Sequence, residues 1–154
     1  MSATDDPFHG FFKTGLPFNE RLGIRFEAEE EDALLYRLTM RPELVGNPES
    51  GALFGGVLFA LLDYALGSAC GLKVAPLRAV ATIDLRLDYT RSNQPGRDIL
   101  AEGICYRLTR DIAFARGSAF HTRGEAPLAS AQGTFMIYDT PPEWLRDLSD
   151  DSHE

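Results

Sequence analysis

The most apolar part of the chain is one segment near its middle. Residues 55–71 are apolar on nearly every side, and the loop before them, residues 41–51, is interrupted by prolines and glycines. A helix that is apolar all round is a buried helix. A transmembrane span needs about 20 predominantly apolar residues, whereas this segment is shorter and contains Asp63. The pattern therefore predicts a long helix in the core of a domain and not a membrane span.

The apolar pattern has a period of two after this helix. Apolar and polar residues alternate over residues 81–90, which is typical of a strand with one buried face. The two sets are Ala81, Ile83, Leu85, Leu87 and Tyr89, and Thr82, Asp84, Arg86, Asp88 and Thr90. Further strands are predicted over residues 24–29, 34–40, 98–108, 113–122 and 128–138, and a short turn of helix over residues 17–22.

The order of these elements restricts the fold class. Two strands, one buried helix and then four strands cannot form a doubly wound sheet, in which strands and helices alternate. The sequence therefore predicts an α+β fold, with an antiparallel sheet of five to six strands wrapped around one long helix. Small side chains on the last two strands would let the helix lie close. These are Gly117, Ala119, Ala129, Ala131 and Gly133. We predict one domain over residues 16–139, between an N-terminal extension, residues 1–15, and an acidic tail, residues 140–154.

The net charge of the chain argues against some classes of binding partner. The net charge of −8 argues against a general nucleic-acid binder and against attachment to an anionic membrane. Residues 73–123 nevertheless carry nine Lys or Arg and five Asp or Glu. This stretch could receive a small anionic ligand, or its arginines could serve solubility alone.

The two cysteines indicate a reducing compartment. Cys70 and Cys105 lie in apolar surroundings without CxxC or Cys/His spacing, which predicts buried free thiols. No metal site and no cofactor are predicted. The N-terminus has neither a basic stretch nor an apolar one, so the sequence favours a cytoplasmic protein.

Asp63 is the residue of the predicted helix that most needs an explanation. It follows the unbroken apolar run of residues 57–62. An ionised carboxylate without partners in a dry core costs several kcal/mol, so it must be hydrogen-bonded, protonated or open to a water-filled cleft. Such carboxylates are enriched at catalytic sites, where they act as a general base or nucleophile. The alternative is a structural Asp that bonds the amides of a neighbouring loop.

Gly55 and Gly56 begin the same helix. The first amides of a helix have no internal acceptor and glycine allows close approach, so this end could bind an anion or an oxyanion. Alternatively, the glycines only mark a tight start of the helix. No P-loop, GxSxG or catalytic Cys motif is present, which argues against nucleotide hydrolysis and against a Ser or Cys hydrolase. Asp63 follows Gly56 by about two turns, so the two lie on one side of the helix about 10 Å apart.

The segment GALFGGVLFALLDYALGSA, residues 51–69, resembles the helix signature of the phenylacetic-acid-degradation and related hotdog thioesterases, in which HGG precedes a short apolar run and an Asp. Residues 81–91 are similar to the third strand of that family and residues 130–135 to its last. The resemblance implies a hotdog fold and an acyl-CoA thioesterase.

The resemblance also implies a role for each matching residue. Asp63 would be the general base or nucleophile that attacks the thioester, and the amide of Gly56, beside Gly55, would polarise its carbonyl. Thr82 would reach the site from the partner subunit and help to orient the attacking water. CoA would lie at the subunit interface of a homodimer or homotetramer, with its phosphates near Arg91.

One position departs from the family pattern. Phe54 replaces the usual His before the two glycines, and Asn47 lies one residue further from that position than the frequent Asn. Phe54 could instead pack against an aromatic or aliphatic acyl group. A module that binds acyl-CoA without hydrolysing it stays open as an alternative, as does a hotdog hydratase that uses His121. The retained Asp63 favours the enzyme, because a pure binder needs no buried acid opposite the thioester.

Overall fold

The computed structural model describes residues 16–74 and 78–139, so the predicted extension and tail lie outside the described residues. A short 3-10 helix, Pro42–Leu44, precedes the third strand. The elements in chain order are α1 (Pro17–Leu22), β1 (Ile24–Glu29), β2 (Leu34–Leu38), β3 (Val45–Asn47), β4 (Ala52–Leu53), α2 (Gly55–Lys73), β5 (Val80–Tyr89), β6 (Ile99–Leu108), β7 (Ile112–Phe120) and β8 (Ala129–Ile137).

Six of the strands form one antiparallel sheet that wraps around α2. The strand order is β1-β2-β6-β7-β8-β5, with β1 and β5 at the edges. Ten residues of α2 are buried, and more than half of its most apolar window lies inside the fold, although by length and composition alone it could cross a membrane. The predicted α+β hotdog architecture and its core helix are confirmed. The β3–β4 hairpin was missed because its strands are very short; β3 falls in the predicted loop, residues 41–51, and no element was predicted at β4.

Glycines let α2 approach the sheet closely. A Cβ on Gly117 would overlap the Glu102 carbonyl oxygen on β6 and would also lie 2.5 Å from Leu66 Cδ1 on α2, so this small residue serves both the neighbouring strand and the helix. The tightest contact with α2 is at Gly103 on β6, where an added Cβ would lie 2.2 Å from the carbonyl oxygen of Ala65. Gly133 was assigned wrongly, since the three atoms nearest to a Cβ there belong to Asp84, Leu85 and Phe135 and none belongs to α2.

Edge strand β5 departs from the predicted alternation. Its register with β8 shifts between Thr82 and Asp84, which marks a β-bulge at Ile83. An inserted residue changes the face on which the following side chains lie. Leu85 packs against the core and Thr82 hydrogen-bonds to α2, whereas Ile83 is 51% exposed. The prediction that Ile83 lies on the buried face and Thr82 on the polar one is therefore wrong.

Candidate active site

Asp63 lies in the middle of α2 and is only partly buried. Its carboxylate Oδ1 accepts a hydrogen bond of 2.8 Å from the Thr82 hydroxyl on β5. No residue of β5 is fully buried, because this strand forms the sheet edge, so Asp63 faces an open rim and not a dry core. A hydrogen bond and access to solvent together account for the carboxylate in an otherwise apolar helix.

Thr82 reaches Asp63 of its own chain. The resemblance implies that this hydroxyl comes from the partner subunit, and in the structure the bond is made within one subunit. The bulge at Ile83 is the physical reason, because it turns Thr82 to the helix side of a strand whose later core residue, Leu85, faces the same way. The acid and its hydroxyl partner thus form one preassembled pair.

The N-terminus of α2 presents unused amide donors. Phe54 precedes the helix and gives it no side-chain cap, and its carbonyl accepts the Val57 N–H at 2.9 Å. Within residues 16–74 and 78–139, the Gly56 N–H makes no hydrogen bond to the backbone outside α2 and receives no side-chain cap. A free N–H at the positive end of a helix dipole can stabilise a developing oxyanion.

Two residues that were not predicted from the sequence as part of the site hold this end of the helix in place. The Tyr89 hydroxyl donates to the Gly55 carbonyl oxygen at 3.0 Å. The Leu53 N–H donates to Asn93 Oδ1 at 2.8 Å, and Asn93 is buried. Both come from the end of β5 and the loop after it. The sequence contains one signal for these residues, a polar loop directly after the strand that resembles the family. Nothing in the sequence indicated that they contact the start of α2.

A cavity of about 270 Å³ opens beside this end of α2. Its walls include Leu53, Leu58, Tyr89, Arg91 and Asn93. The Arg91 guanidinium donates to the carbonyl oxygen of Ala126, which fixes it at the rim. The cavity combines apolar walls with one cation beside the start of α2, features that suit a thioester with an anionic carrier.

Phe54 and Asn47, the two residues that depart from the family pattern, have different surroundings in the structure. Phe54 is 64% exposed and its ring covers Gly56, since a Cβ on Gly56 would lie 2.6 Å from Phe54 Cε1. The side-chain oxygen of Asn47 accepts the N–H groups of Glu49 and Ser50 at 3.0 and 3.3 Å. Asn47 therefore stabilises its own turn, and only its amide nitrogen is left for a ligand.

His121 has a structural role. Its Nε2 accepts the Gln94 N–H at 2.8 Å, so Nδ1 carries the proton and donates to the Asp98 carbonyl oxygen, also at 2.8 Å. Both ring nitrogens of this buried side chain are used within the fold. His121 is therefore not available as the catalytic histidine of a hydratase.

A larger cavity, of about 400 Å³, lies on the face of the sheet away from α2. Arg86, Asp88, Glu102 and Arg116 line it, and the ion pair between Arg86 and Asp88 spans part of it. Its charges balance and it lies away from Asp63, so its size does not make it the site. Across the described ranges, no group of three or more His, Cys, Asp or Glu could hold a metal ion.

The model of the thioesterase superfamily matches residues 50–127, which contain α2, β5, β6 and β7. The medium/long-chain acyl-CoA thioesterase YigI of Escherichia coli K12 is 31% identical over 135 residues, covering 79% of this chain and 86% of that protein. A crystal structure from Pseudomonas aeruginosa is 34% identical, with a TM-score of 0.72 and coverage of 81% and 93%. The E. coli PaaI structure, from the phenylacetic acid degradation operon, is 17% identical, covers 83% and 88%, and shares the fold with a TM-score of 0.72.

Proposed function

The chain belongs to the thioesterase superfamily and is a thioester hydrolase, and on this premise we propose that it cleaves acyl-CoA into a free acid and CoA. Medium- and long-chain acyl groups are the proposed substrates, because the relative with 31% identity carries that name. The observation that carries the proposal is the half-buried Asp63 hydrogen-bonded to Thr82 at the open rim of the fold. The reaction needs no cofactor, and we propose that it takes place in the cytoplasm.

Asp63 acts on water as a general base. Its carboxylate takes a proton from a water molecule, the water oxygen bonds to the thioester carbon, and the carbonyl electrons move onto the oxygen. The Gly56 N–H stabilises this oxyanion. Collapse of the intermediate breaks the C–S bond, and the departing thiolate of CoA takes the proton back from Asp63. In the nucleophilic variant, the Asp63 carboxylate itself bonds to the carbon and the C–S bond breaks, which releases the thiolate of CoA. Water then hydrolyses the anhydride to the free acid and the Asp63 carboxyl, whose proton passes to the thiolate.

The spacing along α2 favours a site shared between two subunits. Gly56 and Asp63 of one chain are about 10 Å apart along the axis of α2. During the reaction, however, the thioester carbonyl group must lie within about 3 Å of both the Gly56 amide and the attacking water. The Gly56 amide of one subunit would therefore act with the Asp63–Thr82 pair of another. The long, exposed edge of β5 suits pairing with its copy in a homodimer. A homotetramer would contain two such dimers.

The remaining residues bind the substrate. The exposed ring of Phe54 contacts the acyl group beside Gly55 and Gly56, and Arg91 at the cavity rim meets a phosphate of CoA. Asn47 contributes its side-chain amide nitrogen as a donor. The apolar cavity wall at Leu53 and Leu58 accommodates carbon chains.

Asp63→Asn tests the proposal, because it keeps an oxygen that can accept the Thr82 hydroxyl but removes the basic carboxylate. We expect thiol release from medium- and long-chain acyl-CoA to fall at least about 1000-fold. Asp84→Asn is the matched control, since Asp84, on β5, likewise accepts a hydrogen bond from a threonine hydroxyl, that of Thr134. Undetectable hydrolysis by the wild-type protein across short, medium, long and aromatic acyl-CoA, together with tight binding, would establish the binding module instead.

Mixed oligomers test the shared site. Asp63→Asn and Gly56→Pro, which removes the amide hydrogen at a position where helices tolerate proline, should each be inactive. When the two variants are co-expressed with separate affinity tags, the mixture should have about one quarter of wild-type activity. About half of randomly formed dimers contain one copy of each variant, and each of these mixed dimers has one intact site of two. No recovery in purified mixed dimers would show that each subunit works alone.

A further inference from the structure

We propose that Tyr89 is a positioning residue that holds the Gly55–Gly56 peptide so that the Gly56 N–H points at the thioester oxygen. The inference rests on the proposed role of the Gly56 amide. It concerns the peptide group itself, because the Gly55 carbonyl and the Gly56 N–H belong to the same planar unit. The Tyr89 hydroxyl donates to that carbonyl at 3.0 Å.

The planar peptide couples the two hydrogen-bonding groups. Its carbonyl and its N–H point in opposite directions across a plane that barely twists, so fixing the oxygen fixes the direction of the N–H. A helical carbonyl has a second lone pair available beyond the one used by the helix. A donor on the oxygen also polarises the amide and strengthens its N–H as a donor.

This peptide needs an external support. Its two residues are glycines, which have the widest range of backbone conformations, and they lie at the uncapped start of α2. The ring of Tyr89 fills the space beside Gly55, because a Cβ on that glycine would lie 3.6 Å from three atoms of the tyrosine. Burial does not explain the tyrosine, since 54% of it is exposed.

The bulge at Ile83 connects this support to the acid. Thr82 and Tyr89 are seven positions apart, so in a regular strand their side chains would lie on opposite faces. The one-residue shift between Thr82 and Asp84 removes this mismatch, and both hydroxyls reach α2. One edge strand thus orients the carboxylate through Thr82 and the oxyanion donor through Tyr89.

Tyr89→Phe tests the inference, because it removes the hydroxyl and keeps the ring. We expect kcat to fall about 5- to 10-fold with KM for the acyl-CoA unchanged within about twofold, the size of one lost hydrogen bond. The matched control is Tyr106→Phe, a similarly exposed tyrosine that packs against Phe114, and its kcat should match the wild type. A Tyr89→Phe enzyme with wild-type kcat would overturn the inference.

A double-mutant cycle separates positioning from general support. In a Gly56→Pro background, where the amide hydrogen is gone, Tyr89→Phe should lower the residual kcat no further. Additive losses would show that Tyr89 acts on something other than the Gly56 N–H. If Gly56→Pro alone leaves kcat unchanged, the oxyanion role fails while the hydrolase assignment, tested at Asp63, stands. The amide resonance of Gly56 should also shift in Tyr89→Phe and stay in place in Tyr106→Phe.

Discussion

The two halves of α2 have opposite environments. The N-terminal end is open, with Phe54 largely exposed, Gly56 exposed and its N–H, within the described residues, neither capped by a side chain nor bonded to the backbone outside α2. The C-terminal half is packed, with Leu66 and Cys70 fully buried. One helix therefore serves two purposes, since its second half anchors it in the sheet and its first half remains available to substrate. Substitutions along it should separate loss of stability from loss of catalysis.

Two cysteine side chains lie in the packed region around the C-terminal half of α2. Cys70 on α2 and Cys105 on β6 are buried free cysteines, as predicted. Their mutual hydrogen bond and burial raise the pKa of the Cys70 thiol, so it stays protonated and packs as a small apolar side chain.

Gly103→Ala should have the largest effect. Its new methyl group would overlap the backbone of Ala65, which cannot move without shifting the whole helix. We expect a loss of more than about 3 kcal/mol in the free energy of unfolding, measured by denaturant titration. Gly55→Ala at the open end meets only ordinary contacts and should retain near-wild-type stability. Equal losses in the two variants would remove the contrast between the ends of α2.

Thr82→Val should impair catalysis with little effect on stability. The valine has the shape of threonine but leaves Asp63 without its hydroxyl partner. A hydrogen bond to a charged group contributes about 1.5 to 3 kcal/mol, so kcat should fall between about 10- and 100-fold. Steady-state kinetics would measure the loss, and Thr82→Ser should restore most of it. A Thr82→Ser enzyme as slow as Thr82→Val would show that the hydroxyl is not the active group.

Phe54→Ala should have the smallest effect on stability. Because the ring is largely exposed, its removal should change the free energy of unfolding by less than about 0.5 kcal/mol. The KM for long-chain acyl-CoA should rise several-fold if the ring contacts the acyl group. A large drop in the unfolding midpoint would instead make Phe54 part of the core.

The sequence alone determined the core helix and the six strands of the main sheet. The all-round apolar segment, the alternating strands and the order of elements were sufficient for an α+β architecture with one core helix, because periodicity depends only on neighbours along the chain. The same local logic identified Asp63 and Gly56, since a carboxylate in an apolar helix and glycines at its start stand out without any knowledge of contacts.

Only the tertiary structure decided how these residues meet. The bulge at Ile83 arises from pairing with β8, the close approach of Gly103 from packing against Ala65, and the bond between Tyr89 and Gly55 from a strand that follows the helix. Each joins residues that are distant in sequence, so no local pattern contains it. The alternation over residues 81–90 even predicted the wrong face for Thr82, because a single inserted residue, invisible to periodicity, reverses the faces of a strand.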